Sequence, residues 1–173
     1  MSILNKIVFF IIDIDGTLTD SGIYYDNNAN EFKRFSTRDY VGILAAHYAE
    51  IQTVAVTGRY SFAVEKRVKE MGVDYLFQGI KNKKDFLLNF CRDNEIDFEQ
   101  IGYIGDDLND LSAMKLASFV ACPADAHPDI KEIANYISPV NGGYGVISDV
   151  FRYYLKTLNK WDNFIDEVIE NGF

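Results

Sequence analysis

The 173-residue sequence predicts an α/β fold of three layers, a parallel sheet with helices on both faces. Its apolar runs are continuous rather than alternating, as strands covered on both faces require. Those runs alternate with helical patterns along the chain. The first of them ends in closely spaced carboxylates, placed where open α/β sheets bind ligands, outside the carboxyl ends of the strands. The expected order is strand, hairpin, helix, strand, helix, short strand, helix, strand, helix, strand, helix, strand, helix. No internal repeat, low-complexity tract or long linker interrupts it, so residues 1–173 are read as a single domain, and 48% hydrophobic content suffices for its core.

The run Ile7-Val8-Phe9-Phe10-Ile11-Ile12 reads as the first strand, with Asp13 at its carboxyl end and Asp15 two residues on. Gly16 lets the chain leave the strand through a conformation that a Cβ opposes. Two carboxylates this close repel unless a metal or a shared proton relieves them, and oxygen ligands of this kind suit Mg²⁺. A bare Asp-x-Asp-Gly also fits an ordinary turn, so later elements decide.

Residues 19–36 read as a β-hairpin flap: Ile23-Tyr24-Tyr25 and Glu31-Phe32-Lys33-Arg34-Phe35 flank the turn-rich tip Asp26-Asn27-Asn28-Ala29-Asn30. A hairpin bearing Tyr24, Tyr25, Phe32 and Phe35 cannot bury both faces on one small core, so part of it is expected to pack on another subunit. A helix follows from Tyr40 to Ala49, in which His47 is read as structural. The strand Ile51 to Val56 then runs into Thr57-Gly58-Arg59 and a helix from Ser61 to Met71; a hydroxyl and free N–H groups at a helix start form a phosphate site. Lys81-Asn82-Lys83-Lys84 opens a helix from Asp85 to Arg92. Gln100 to Ile104 is a strand delivering Gly105-Asp106-Asp107-Leu108-Asn109-Asp110. His127 lies in a loop, and beyond Val150 two amphipathic helices, Phe151 to Leu155 and Trp161 to Val168, form an extension over residues 150–173.

The net charge of −9 argues against nucleic acid or an anionic membrane surface as a partner. No window is long and apolar enough to span a bilayer, and the first apolar run leads into Asp13 rather than a cleavage site. Cys91 and Cys122 lack a Cys or His at ligand spacing and read as buried, reduced thiols. A cytoplasmic protein is expected.

In this order, Asp13-Ile14-Asp15-Gly16-Thr17, Thr57 at a strand end, a lysine, and Gly105-Asp106-Asp107-x-x-Asp110 resemble the four motifs of the haloacid dehalogenase superfamily of phosphotransferases, over about Val8 to Ser148. The resemblance implies a Rossmann-like sheet with Asp13 as a nucleophile that becomes an aspartyl-phosphate, and Asp15 as general acid and base. It implies Mg²⁺ held by the Asp13 side chain, the Asp15 backbone carbonyl and Asp106, phosphoryl binding by Thr57, Gly58 and Lys83, and an orienting role for Asp107 and Asp110 toward the metal shell and Lys83. Lys83 is chosen over Lys81 and Lys84 because Gln78-Gly79-Ile80-Lys81-Asn82-Lys83 fits the related pattern Q-G-x-x-[DN]-K.

Larger members insert a cap domain, whereas this chain has room only for the hairpin. It therefore resembles the small capless phosphatases of 8- and 9-carbon 2-keto sugar acid phosphates, tetramers in which hairpins from neighbouring subunits help cover each site. That resemblance implies a homotetramer in lipopolysaccharide biosynthesis, acting on a phosphorylated sugar acid, with 3-deoxy-D-manno-octulosonate (KDO) 8-phosphate as the expected substrate. Arg59 and Arg67, present at both matching positions in the octulosonate branch, are expected to bind the substrate. In the tail Gly142-Gly143-Tyr144-Gly145-Val146-Ile147-Ser148, Ser148 replaces an arginine usual in that branch. Two alternatives stand beside this reading: a nonulosonate (sialic acid or KDN) 9-phosphate phosphatase, and a non-catalytic regulatory or binding subunit in a cytidylyltransferase pathway.

Overall fold

The computed structural model describes residues 7–172, so the outer ends of the expected domain, residues 1–6 and 173, lie outside the described residues. A central sheet of six strands is parallel throughout, in the order β5-β4-β1-β6-β7-β8. Its strands are β1 (Phe9–Asp13), β4 (Gln52–Val56), β5 (Tyr75–Phe77), β6 (Ile101–Ile104), β7 (Phe119–Cys122) and β8 (Tyr136–Ile137), with the hairpin strands β2 (Tyr24–Tyr25) and β3 (Glu31–Phe32) outside it. The helices are α1 (Asp39–Tyr48), α2 (Phe62–Met71), α3 (Lys83–Asp93), α4 (Leu108–Met114), α5 (Pro128–Ile133), α6 (Val146–Thr157) and α7 (Trp161–Asn171). The expected order of elements is observed as far as α6, the helix expected from Trp161 follows it as α7, and the described residues contain no cap domain.

β1 is apolar along its length because both its faces are covered. Phe10 and Ile12 point into a core shared with α1, α2, α6 and α7, and Phe9 and Ile11 into a second core shared with α3, α4 and α5. In the first core Phe10 is fully buried with Phe119, Phe151 and Tyr154 around its ring at centroid distances of 5.8, 4.8 and 5.3 Å. Cys91 and Cys122 are free and buried in the second. The C-terminal extension joins the first core: Phe164 of α7 is buried and its ring stands 5.5 Å from that of Tyr48 on α1. No helix among the described residues is long and apolar enough to cross a membrane.

The chain winds from β1 outward to β4 and β5, then returns to the other side of β1 with β6. The reversal opens a crevice at the carboxyl ends of β1, β4 and β6. Pairing Asp13 with Val56 and Ile12 with Ile104 sets those three ends level, so the residues that follow each strand meet in the crevice.

α1 and α6 cross closely at Gly42, where a Cβ would run into the Ile147 backbone. There the buried Asp39 carboxylate at the start of α1 accepts the Ile147 N–H of α6 at 2.9 Å. Burial pushes Asp39 up to about 6, opposed in part by the Ile147 and Ser148 N–H groups and by Arg67. The folded state therefore binds a proton that an unfolded aspartate has released, and stability from this group, present at low pH, is lost as pH rises from about 4 to 6. The difference between the two limits is on the order of 3 kcal/mol. Asp39→Asn keeps an acceptor oxygen and removes the titration. Denaturant unfolding of both proteins at pH 4.5 and 7.5 is expected to show the variant gaining on the parent at the higher pH; an unchanged difference would refute the assignment.

Candidate active site

The chain leaves β1 through a wide turn, Ile14–Leu18, closed by the Thr19 N–H on the Ile14 carbonyl at 2.9 Å. Gly16 sits in it at φ 111, and a Cβ there would collide with the Asp106 carboxylate, so the position requires glycine for both conformation and space. Thr17 Oγ1 donates to Asp106 Oδ1 at 3.2 Å, tying the turn to the end of β6. The glycine-rich segment before α6 docks on the same turn, with the Gly143 N–H on the Thr17 carbonyl at 3.0 Å.

Asp13, Asp110 and Lys83 are all buried at the floor of the crevice. Lys83 Nζ donates to Asp13 Oδ1 and, at 2.7 Å, to Asp110 Oδ1, which also accepts from Tyr103 Oη at 2.7 Å. Asn82 caps α3 by accepting the Asp85 N–H at 3.1 Å, which makes Lys83 the first helical residue. Burial opposes the charge on Lys83, but Asp13 and Asp110 outweigh it and hold the ammonium above its usual range. Burial, then Asp110 and Asp106, push Asp13 well up against the lowering effect of Lys83. Asp106 is raised to about 6, by burial first and by Asp110, while hydrogen bonds with Asp13 and Thr17 work the other way.

Asp15 is held from two directions. Thr57 Oγ1, at the end of β4, donates to Asp15 Oδ2 at 3.0 Å, and Lys33 Nζ, from the hairpin, donates to Asp15 Oδ1. The Lys33 side chain is fully covered, so within a single chain the hairpin lies over its own site. Lys33 also stands 3.2 Å from Glu31 Oε1, while Glu31 Oε2 accepts from Arg59 Nη2 at 2.5 Å. At the hairpin's root, Arg34 donates to the Gly143 carbonyl at 2.8 Å and stacks on Tyr144.

Asp13, Asp15, Thr57, Lys83, Asp106 and Asp110 are thus brought together as the motifs imply, with Gly58 and Arg59 at the rim, both exposed. Asp107 departs from the expectation of orienting Lys83. As N-cap of α4 its side chain turns back to the Leu108 N–H at 2.7 Å and stays exposed. Arg67, expected to bind the substrate, donates through its guanidinium to the Ser36 carbonyl at 3.0 Å and pairs with Glu70 at 3.6 Å, binding α2 to the end of the hairpin. Lys81 and Lys84 are exposed. Ser148 sits in the first turn of α6, and His127 caps α5 through the Asp129 N–H at 3.2 Å. Sequence reasoning missed Lys33, Glu31 and Tyr103; period-two alternation puts Glu31 and Lys33 on one face of the hairpin, a signal available in the sequence.

Carboxylate oxygens of Asp13, Asp106 and Asp110 lie within 4.8 Å of one another. Against them stands one ammonium, Lys83, so the ionised cluster carries two negative charges in excess. Asp110 Oδ2 is buried without a hydrogen-bond partner. This donor set, all oxygen and over-charged, fits a hard divalent cation.

Three comparisons bear on this arrangement. The family model of the haloacid dehalogenase-like hydrolases matches residues 78–149. The 3-deoxy-D-manno-octulosonate 8-phosphate phosphatase of Escherichia coli (strain B / BL21-DE3) is 35% identical over 162 residues, 94% of this chain and 86% of that protein. The crystal structure of the Moraxella catarrhalis enzyme of the same name, in complex with magnesium ion, phosphate ion and KDO, superposes with a TM-score of 0.90 at 32% identity, covering 95% of this chain and 94% of that one. The cobalt-bound Haemophilus influenzae phosphatase gives 0.87 at 31%, over 94% and 95%. With that identity over nearly its whole length, and with the acidic crevice built as described, the chain belongs to the haloacid dehalogenase-like hydrolases and is a phosphatase of the group these relatives form.

Proposed function

We propose that the protein is a Mg²⁺-dependent phosphatase of a 2-keto-3-deoxy sugar acid phosphate, KDO 8-phosphate in the first place, working in the cytoplasm in lipopolysaccharide biosynthesis. The observation that carries this is the Asp13–Lys83–Asp110 floor beneath Asp15 and Arg59, in a chain whose relatives carry that activity in their names. Arg59 favours the 8-carbon over the 9-carbon substrate, because the octulosonate branch that the chain resembles carries arginine at the matching position; its planar fork suits the carboxylate that both kinds of sugar acid bear.

The Asp13 carboxylate attacks phosphorus, forming an O–P bond as the ester O–P bond breaks, and the departing alkoxide takes a proton from Asp15. Asp15, now a carboxylate, removes a proton from water as that water attacks the aspartyl-phosphate, which returns Asp13 and releases phosphate. Lys83 and the Thr57 hydroxyl face the phosphoryl oxygens, where charge spreads in the transition state. Lys33 holds Asp15 Oδ1 and fixes its direction, and the Thr57 hydroxyl passes from Asp15 Oδ2 to the phosphoryl group as substrate binds, which leaves Oδ2 free to carry the proton. Asp110 and Tyr103 keep Lys83 charged and in place. Asp13, Asp106 and the Asp15 carbonyl would hold Mg²⁺, which would supply the positive charge that lets an anionic carboxylate approach an anionic phosphate.

A homotetramer is part of the proposal. Ile23, Tyr24, Tyr25 and Phe32 of the hairpin are 48–60% exposed, an apolar group larger than a solvent-facing ribbon needs.

Phosphate release with Mg²⁺ across KDO 8-phosphate, N-acetylneuraminate 9-phosphate, a deaminated nonulosonate 9-phosphate and hexose phosphates tests the substrate. The highest kcat/KM is expected for KDO 8-phosphate, and preference for a 9-carbon acid overturns that choice while keeping the mechanism. Asp13→Asn is expected to abolish turnover while light scattering still reports the tetramer; a monomer for both proteins refutes the assembly. Asp15→Asn is expected to lower kcat by about 10²–10⁴. Chelation is expected to stop turnover, and Mg²⁺ at 100 times its Kd to raise the unfolding free energy by about 2.7 kcal/mol through binding the folded state alone. Undiminished activity in chelator removes the metal from the scheme.

A further inference from the structure

The hairpin brings an anion to the mouth of the site as well as a cation. Glu31 Oε2 lies 2.5 Å from Arg59 Nη2, and the same nitrogen donates to Tyr25 Oη at 3.1 Å. A carboxylate of the chain itself therefore fills the fork assigned to the substrate's carboxylate. Asp15, Lys33, Glu31 and Arg59 form a line of alternating charge running from the crevice to the surface.

This line is easily rearranged at its outer end. The Arg59 side chain is 41% exposed, and ion pairs of that kind contribute little. Glu31 Oε1 is ion-paired with Lys33 Nζ at 3.2 Å, so the carboxylate keeps a cation of its own when Arg59 turns to another partner. The strands that carry it are two residues each, too short for a ribbon to hold itself together. What seats them is the Thr19–Phe35 bridge and Arg34 at the root, and Tyr25, Glu31 and Lys33 along the flap.

We propose that Glu31 is an internal stand-in for the substrate's carboxylate that sets how tightly a sugar acid is held. It holds Arg59 until a sugar acid arrives, then yields the guanidinium to it and keeps Lys33 as its own partner. One carboxylate replaces another on the same fork, so the exchange is close to balanced for a ligand that brings a carboxylate. A phosphate ester without one does not draw on the Arg59 fork and leaves the Glu31–Arg59 pair as it stands. Glu31 acts through binding alone. The inference rests on the sugar-acid reading of the substrate.

The test is Glu31→Gln, which keeps size and removes the competing charge. KM for KDO 8-phosphate is expected to fall about threefold, the range given by a partly exposed pair, with no matching fall for p-nitrophenyl phosphate. In an Arg59→Ala background the same substitution is expected to leave KM for KDO 8-phosphate where Arg59→Ala alone puts it. An unchanged or higher KM for KDO 8-phosphate in Glu31→Gln, or an equal change for both esters, overturns the proposal while the substrate assignment stands. Parent enzyme that hydrolyses p-nitrophenyl phosphate but no sugar-acid phosphate overturns the assignment, and this proposal with it.

Discussion

The site depends on one buried cation. Lys83 stands between Asp13 at the end of β1 and Asp110 on α4, and all three side chains are withdrawn from water. Removing one partner from such a buried pair leaves a charge without compensation, a loss of about 3–5 kcal/mol. The lysine also begins a helix, where the positive end of the helix dipole is unfavourable to it. Only the two carboxylates make that placement tenable, and only the lysine lets them lie so close. Strand β1, helix α3 and helix α4 are therefore fixed relative to one another by the same atoms that face the phosphoryl group in the proposed reaction.

Much of this was legible in the sequence because its signals are local. Phe9-Phe10-Ile11-Ile12 announces a strand buried on both faces, and its alternate side chains divide between the two cores. Glycine at position 16 and asparagine at position 82 mark a tight turn and a helix cap by their own chemistry. Asp107 was less legible, since a carboxylate beside a motif aspartate can serve as a ligand, an orienting group or a cap, and the backbone of α4 decides for the cap. Arg67 shows the same ambiguity for a long side chain: its helix is plain in the sequence, but its partner, the Ser36 carbonyl, comes from a segment 31 residues away.

Lys33 and Glu31 were hidden for another reason. Their roles depend on where the hairpin lies, and a ribbon of two-residue strands does not set its own position. Charge supplies what the backbone lacks. Lys33 is drawn to the acidic crevice, where Asp15 receives it, and Arg34, the next residue in the segment after β3, reaches the Gly143 carbonyl and the Tyr144 ring. Two consecutive residues thus fasten the flap to the site and to the glycine-rich segment. That segment is in turn bonded to the Asp13 turn through Gly143 and Thr17.

A protein without a cap must exclude water with few residues, and electrostatics does here what surface area does in a larger lid. A flap held by apolar contact would need a broad buried face, and this one leaves most of its aromatic side chains outside. A flap held by ion pairs can be small, because two or three charges suffice to seat it, and it responds to charged ligands, because they compete for the same partners. Seating and recognition are then the same interaction. The acidic crevice that draws Lys33 inward is the same charge that a metal would meet, so the flap and a bound cation draw on neighbouring carboxylates of one site.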